Sequence, residues 1–262
     1  MDATTTRRIR RWTRGHVTEA TDVLVSEEPV EFRLGGVPIA VLMRTPGDEA
    51  ELGLGFAITE GIVLGPEEVA AVEPATELGD RYDIVLSEGV TVDPEQFRRN
   101  LYTTSSCGVC GKASIDAVRV TARRPPSGPV VSPELLLSLP SRMRDTQDAF
   151  DATGGLHAAA LFDPPGSLLA VCEDIGRHNA VDKLVGKVAR ARWPIGEAIL
   201  VVSGRVSFEM VQKAAVAGIP VVCGVSAASS LAVELGEELG LTVVGFLREG
   251  GFNVYAGAHR VS

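Results

Sequence analysis

The stretch Ile199-Leu200-Val201-Val202-Ser203-Gly204-Arg205 decides the fold. An apolar run this short, closed by a serine and a glycine, is the pattern of a strand buried on both faces. Its neighbours extend the pattern. Ser207 to Ala217 has helical apolar spacing and stops at Gly218, Pro220 to Val225 is a further apolar run, Ser229 to Leu239 reads as a helix, and Thr242 to Leu247 as a strand. Upstream, Arg177 to Arg190 has helical spacing, and Ser167 to Cys172 pairs back on the apolar run His157 to Phe162 across the turn Asp163-Pro164-Pro165-Gly166. Strands alternating with helices predict an α/β fold, a mixed sheet covered by helices with ligands at the carboxyl ends of the strands.

The chain ahead of this region reads as a smaller α+β region. Val23 to Val25 and Val30 to Leu34 alternate apolar and polar residues, and Gly35-Gly36 joins the second run to Val37 to Met43, which is a hairpin signal. Asp48 precedes a helical run containing Leu52, Phe56 and Ile58, with Glu51 three residues on, an N-cap arrangement that stops at Gly61. Tyr82 to Leu86 reads as a strand, and Asp93-Pro94 opens a short helix. The prolines of Arg123 to Pro129 cannot continue a helix and place a joint there. Beyond it, Ser132-Pro133 starts a helix through Leu139, Pro140 restarts it, and Gly154-Gly155 ends it. The expected organisation is a flexible basic arm over 1–22, the α+β region over 23–129 and an α/β cofactor-binding domain over 130–262.

With 25 basic against 34 acidic residues the net charge is -9, which argues against broad binding of nucleic acid or anionic membrane. Arg7, Arg8, Arg10, Arg11 and Arg14 form a local basic arm, expected to be solvated and frayed. No apolar stretch approaches the roughly 20 residues that span a bilayer, and no apolar segment of a signal peptide follows the basic start, so the expected compartment is the cytoplasm.

In that reducing compartment the 4 cysteines are not expected to form structural disulfides. Cys172 and Cys223 sit in apolar strand-like runs and are expected to be buried and inert. Thr103-Thr104-Ser105-Ser106-Cys107-Gly108-Val109-Cys110-Gly111-Lys112 is different, because it sets Cys107 and Cys110 one turn apart among small hydroxyl-bearing residues. Lys112 and a helical-looking run from Ala113 to Val120 would both favour thiolate. A zinc site would need more ligands than one CxxC supplies, and His157 or His178 would have to complete it. A zinc deaminase pairs HxE with PCxxC, yet Ser106 precedes Cys107 and no HxE lies upstream. A thioredoxin-like exchanger would carry its CxxC much earlier. Sulfur transfer remains: a reactive cysteine accepts sulfur as a persulfide, and the second thiol receives or releases it.

The loops at the expected strand ends form a second informative set. Glu173-Asp174-Ile175-Gly176-Arg177-His178-Asn179, Ser203-Gly204-Arg205, Gly224-Val225-Ser226 and Arg248-Glu249-Gly250-Gly251 are small, polar or basic. Such loops expose backbone N–H groups and suit a phosphate-bearing ligand, with Arg177 and Arg205 better placed chemically than Glu249. His178, Asn179 and Asp182 could equally cap and solvate their helix.

The set TTSSCGVCGKASIDAV, GGLHAAAL, CEDIGRHNAVDKLVGK, VVSGRVSFEMVQKAA and GFLREGGFNVY, with TDVLVSEEPVEFRLGGVPIAVLMRTPGDEAELGLGFAITEGIV before it, resembles the FdhD family of formate dehydrogenase accessory sulfurtransferases. The resemblance runs from about Val23 to Tyr255. It implies a cytoplasmic homodimer with a cytidine deaminase-like fold and no permanent metal. Such a protein takes sulfur from a cysteine desulfurase and passes it to the molybdenum cofactor, bis(molybdopterin guanine dinucleotide), before that cofactor enters formate dehydrogenase. Carried over by residue, Cys107 is the persulfide carrier, Cys110 its partner, and Phe246, Leu247, Arg248, Glu249, Gly250 and Gly251 the segment that takes the cofactor. This chain has Gly251 where many relatives carry a further basic residue, which moves the expected phosphate contact to Arg248, Arg177 or Arg205. The competing readings are a cofactor-holding chaperone whose cysteines only touch a partner, and a zinc-dependent deaminase-like enzyme.

Overall fold

A computed structural model describes residues 2–98 and 128–262. Cys107, Cys110, Lys112 and the expected helix from Ala113 to Val120 lie outside the described residues. The strands are β1 (Thr4–Thr13), β2 (His16–Val25), β3 (Glu28–Leu34), β4 (Val37–Arg44), β5 (Val69–Pro74), β6 (Arg81–Leu86), β7 (His157–Phe162), β8 (Leu168–Asp174), β9 (Ile199–Val202), β10 (Val221–Gly224), β11 (Thr242–Arg248) and β12 (Gly251–Ala256). The helices are α1 (Glu49–Thr59), α2 (Glu95–Arg98), α3 (Pro133–Arg144), α4 (Asp148–Thr153), α5 (Arg177–Ala189), α6 (Phe208–Val216) and α7 (Ser230–Leu239).

The expected mixed α/β architecture is present. A six-stranded sheet has the order β12-β11-β10-β9-β7-β8, with β9, β10 and β11 parallel and β7 and β12 reversed. A four-stranded sheet, β4-β3-β6-β5, belongs to the N-terminal region. Period-2 alternation loads both faces of the large sheet. Leu200 and Val202 of β9 join Ala159 and Leu161 of β7 in a core shared with α1, α5, α6 and α7. Ile199 and Val201 join Ala158, Ala160 and Phe162 in a second core under Leu136, Leu139 and Met143 of α3.

Several local expectations change. The basic arm is not frayed: β1 and β2 pair in register from Thr4↔Val25 to Thr13↔His16. Arg14 and Gly15, with φ of 47° and 85°, make the left-handed turn such a hairpin requires. The alternation signal is weak because no residue of this ribbon is buried and most are exposed. Asp48 does not cap α1. Its own φ of 58° takes it out of the extended conformation an N-cap side chain needs, and Glu49 instead accepts from Gly47 N–H at 2.9 Å. Helix α3 runs through Pro140 rather than restarting, because Leu136, Leu139 and Met143 bury one continuous stripe across it.

Two devices fix α5. Gly55 and Gly186 bring α1 and α5 to backbone contact: a Cβ at Gly55 would lie 1.8 Å from the Asp182 carbonyl oxygen, and one at Gly186 would lie 1.9 Å from that of Glu51. Buried polar networks flank this crossing. Lys183 Nζ donates to Thr45 O and pairs with Asp174 Oδ2, both at 2.8 Å, while Asn179 Nδ2 donates to Met43 O at 2.8 Å and Asp174 Oδ1 at 2.9 Å. Lys213 Nζ on α6 reaches Asp182 Oδ1, Glu60 Oε1 and Thr59 Oγ1, each at 2.9 Å.

Candidate functional site

Because β8, β9, β10 and β11 run the same way, the loops after them converge on one end of the sheet, where reversed β7 begins with His157. On the α3 face this end opens into a cleft of about 730 Å³. That size suits a cofactor or nucleotide. Met143, Phe150, Leu156 and Leu247 supply apolar wall, and Arg144, His157, Ser203 and Arg248 supply polar groups. Helix α4 forms one wall because Glu173 at the end of β8 accepts from Ala149 N–H at 3.2 Å and Phe150 N–H at 3.0 Å. Burial pushes the Glu173 carboxyl up, against those two bonds. Arg144 lies over the Phe150 ring at 4.3 Å and pairs with Asp151.

The segment Phe246 to Gly251 is the β11–β12 corner. Leu247, Arg248 and Glu249 line the cleft; Phe246, Gly250 and Gly251 do not. Phe246 takes a φ of 53°, half-exposes its ring and donates its N–H to Ser226 O at 2.9 Å. Arg248 Nε donates to Val225 O at 3.4 Å, so β10 and β11 hold this corner together. Arg205 is exposed on the loop after β9 and, like Arg177, is not part of the cleft wall.

Over the rim, on the face bearing α5 and α6, a second group of side chains gathers around Gly204. A Cβ at Gly204 would lie 3.5 Å from His157 Nδ1 and 3.9 Å from Arg177 Cδ, so Gly204 sits between these residues. Ser203 Oγ accepts from Ala158 N–H at 2.9 Å and fixes the turn. Burial, then the charges of Arg177 and His178, lower the His157 pKa. His178 Nε2 lies 3.9 Å from Glu209 Oε2. Burial opposes the Glu209 charge, but His178 and Ser207 outweigh it and bring that carboxyl from 4.5 to about 2. A carboxylate depressed in this way stabilises the fold above its unfolded pKa and loses that contribution as the pH falls from 4.5 towards 2. Glu209→Gln is therefore expected to flatten the acid limb of a stability profile measured by urea unfolding. An unchanged acid limb would contradict it.

The loop before α5 divides between support and site. Glu173, Asp174 and Asn179 are spent on α4, Lys183 and Met43, and Asp182 on Lys213, so Asn179 and Asp182 do not solvate their helix. Arg177 and His178 remain. Sequence reasoning missed Arg144 and Phe150, which line the cleft, and weighed His157 only as a zinc ligand; Arg144 stood inside a helical run with nothing to mark it as facing a ligand. Cys172 and Cys223 are buried as expected, and burial pushes the Cys172 thiol up to about 12 and that of Cys223 higher still. Among the described residues no three of His, Cys, Asp and Glu gather as metal ligands, and no helix is long and apolar enough to cross a membrane.

Comparison with known proteins gives a consistent picture. Residues 25–262 match the FdhD/NarQ family. A Streptomyces coelicolor protein named sulfur carrier protein FdhD is 51% identical over 98% of this chain and 95% of its own length. A Mycobacterium tuberculosis protein of the same name is 46% identical over 99% of both. The crystal structure of a candidate formate dehydrogenase accessory protein from Desulfotalea psychrophila superposes with a TM-score of 0.80 at 21% identity, covering 99% of this chain and 100% of that one. At that identity the superposition speaks for the fold alone.

Proposed function

The chain belongs to the FdhD/NarQ family, and from that premise we propose that it is a sulfur carrier acting for formate dehydrogenase. In this reading the donor is a cysteine desulfurase and the cargo is the molybdenum cofactor bis(molybdopterin guanine dinucleotide), bound as substrate by a cytoplasmic homodimer. Cys107 thiolate attacks the outer sulfur of the donor's persulfide; a new S–S bond forms on Cys107 and the donor leaves as a thiolate, with no net oxidation. Attack by Cys110 thiolate on the Cys107 sulfur then forms a Cys107–Cys110 disulfide and expels hydrosulfide for the cofactor, the two cysteines supplying the electrons.

The observation that carries the reading is the convergence of Leu247, Arg248 and Glu249 with an apolar-walled cleft of nucleotide size at the sheet end. Among the described residues both cysteines are buried with thiols pushed up, which supports Cys107 and Cys110 as the reactive pair. Incubation with a cysteine desulfurase and cysteine, followed by intact mass, should add one sulfur atom to the wild type and none at that position in Cys107→Ala. Undiminished loading of Cys107→Ala would sink the proposal, as would an unloaded wild type. Cofactor delivery that survives alanine at both cysteines would instead support a cofactor-holding chaperone.

A further inference from the structure

The β1–β2 ribbon contributes to neither core, since none of its residues is buried, yet it is paired along its whole length. A two-stranded ribbon that nothing covers is marginal in water. Its charge also sets it apart from the rest of the molecule. Residues 4–19 hold five arginines and one acid, Glu19, a net of +4, so with -9 on the whole chain the remaining residues carry -13. Cross-strand partners and alternate residues share a face. The register therefore sets Arg8, Arg10 and Trp12 of β1 on one face with Val17 and Val25 of β2. Trp12 is 73% exposed, and Val17 opposite it 46%. Among the described residues Arg8 and Arg10 make no salt bridge, whereas Arg11 on the other face lies 3.8 Å from Asp22. The base of the same face meets the cleft: a Cβ at Gly155, which lines it, would lie 3.6 Å from Val25 Cγ1, and β2 packs on α4. Trp12 stands roughly 27 Å out from that base, at about 3.4 Å per residue of strand.

We propose that the ribbon face bearing Arg8, Arg10 and Trp12 is a docking arm for formate dehydrogenase, which it engages through an acidic protein surface with an apolar recess. The inference rests on the reading of the chain as a sulfur carrier for that enzyme. Arginine and tryptophan are the side chains enriched among the anchors of protein interfaces. Formate dehydrogenase, rather than the sulfur donor, is assigned because the arm rises from the cleft wall: a protein held there faces the mouth from which cargo leaves. The charge asymmetry sets the orientation. An acidic partner is repelled by the body and drawn by the arm, so it approaches arm first, which is the approach that brings it to the cleft. A nucleic acid fits less well. Glu19 stands opposite Arg10 and Asp22 opposite Arg7, so a phosphate chain would meet a carboxylate on either face, and a long polyanion would also meet the acidic body.

Interferometry with the full chain immobilised and purified formate dehydrogenase in solution, at low and at raised salt, tests this. Wild-type affinity should fall severalfold as salt rises, because exposed charges are screened. Arg8→Glu/Arg10→Glu should weaken binding by about tenfold or more and remove most of that salt dependence, and Trp12→Ser should weaken it about tenfold with the salt dependence kept. Arg7→Glu/Arg11→Glu makes the same change of charge on the opposite face and should cost much less. No variant touches a buried residue, so urea midpoints should match the wild type, and sulfur loading by the desulfurase, read by intact mass, should be unchanged. Formate dehydrogenase that fails to bind the wild type, or binds all four proteins equally, overturns the docking arm. So does an equal loss from the two arginine pairs. Ribbon variants that bind formate dehydrogenase normally but lose sulfur loading would assign the arm to the donor. Variants with a lower particle mass than the wild type by light scattering would assign it to a second copy, and a DNA duplex bound through Arg8 and Arg10 would assign it to nucleic acid; each of these three results overturns the proposal. If the wild type takes up no sulfur but binds formate dehydrogenase through the arm, the sulfur-carrier reading falls and the docking surface stands.

Discussion

Replacing Gly186 by alanine is expected to destabilise the protein by more than about 3 kcal/mol, beyond the usual range for overpacking. In an ordinary helix the same change would stabilise by about 1 kcal/mol, because alanine is the better helix former. The sign reverses here because the new methyl would stand 1.9 Å from the Glu51 carbonyl oxygen, against the roughly 3.5 Å at which non-bonded heavy atoms come to rest. Relief would require α1 and α5 to separate by more than an ångström. Asn179 and Lys183, bonded to Met43 and Thr45, hold α5 on one side of the crossing, and Asp182 holds it to α6. Urea unfolding of Gly186→Ala beside Gly250→Ala, where a Cβ meets nothing within 4 Å, separates this effect from any general cost of alanine. A Gly186→Ala midpoint equal to that of the wild type would refute the close crossing.

Removing Lys213 should cost nearly as much. Its side chain is 4% exposed and its ammonium bonds Thr59, Glu60 and both oxygens of Asp182. Burial works against the charge of Lys213, but Asp182 and Glu60 outweigh it and raise its proton affinity. Burial also raises the Asp182 carboxyl, which Lys213 partly offsets. Lys213→Met leaves that carboxylate buried with, among the described residues, only the Thr59 hydroxyl donating to it, at 2.7 Å. Breaking one side of a buried pair costs about 3–5 kcal/mol, whereas replacing both sides by apolar groups is often close to neutral. The double variant Asp182→Leu/Lys213→Met is therefore expected to recover much of the loss. The sign with pH follows from the raised carboxyl: protonation is easier in the folded state, so the deficit of Lys213→Met should shrink as the pH falls from neutral towards the usual carboxylate range and grow as it rises. A deficit of the same size at neutral and mildly acidic pH, or a double variant as unstable as the single, would contradict this account.

The centre of the large sheet was legible because β9 and β10 are buried on both faces and α6 and α7 run out onto Gly218 and Gly240. Ile199 to Val202 and Ser207 to Ala217 match β9 and α6 to within a residue or so. Strand β5, Val-Ala-Ala-Val-Glu-Pro, was missed because alanine and proline carry little strand signal, and β12 because it opens on Gly251 directly after the loop-like Arg248-Glu249-Gly250. No residue of the β1–β2 ribbon is buried, so apolar residues mark only its end at Val23 to Val25 and the rest reads as a basic arm. At the site, sequence order showed that the strand-end loops share one edge. It did not show which face each side chain serves. Arg177 and Arg248 look alike as basic loop residues, yet one lies on the α5–α6 face and the other lines the cleft. Nor did it separate the polar residues consumed internally, Glu173, Asp174, Asn179 and Asp182, from those left for a ligand.

The crossing of α1 and α5 has a consequence for synthesis. The ribosome delivers α1 first, and α1 buries residues on nearly every side, among them Leu52, Leu54, Ala57 and Ile58. Part of that cover is α5, and the bond from Ile175 N–H to Thr45 Oγ1 spans 130 positions. A nascent chain must therefore carry α1 with an uncovered flank until α5 has left the exit tunnel, the interval in which transient association is most damaging.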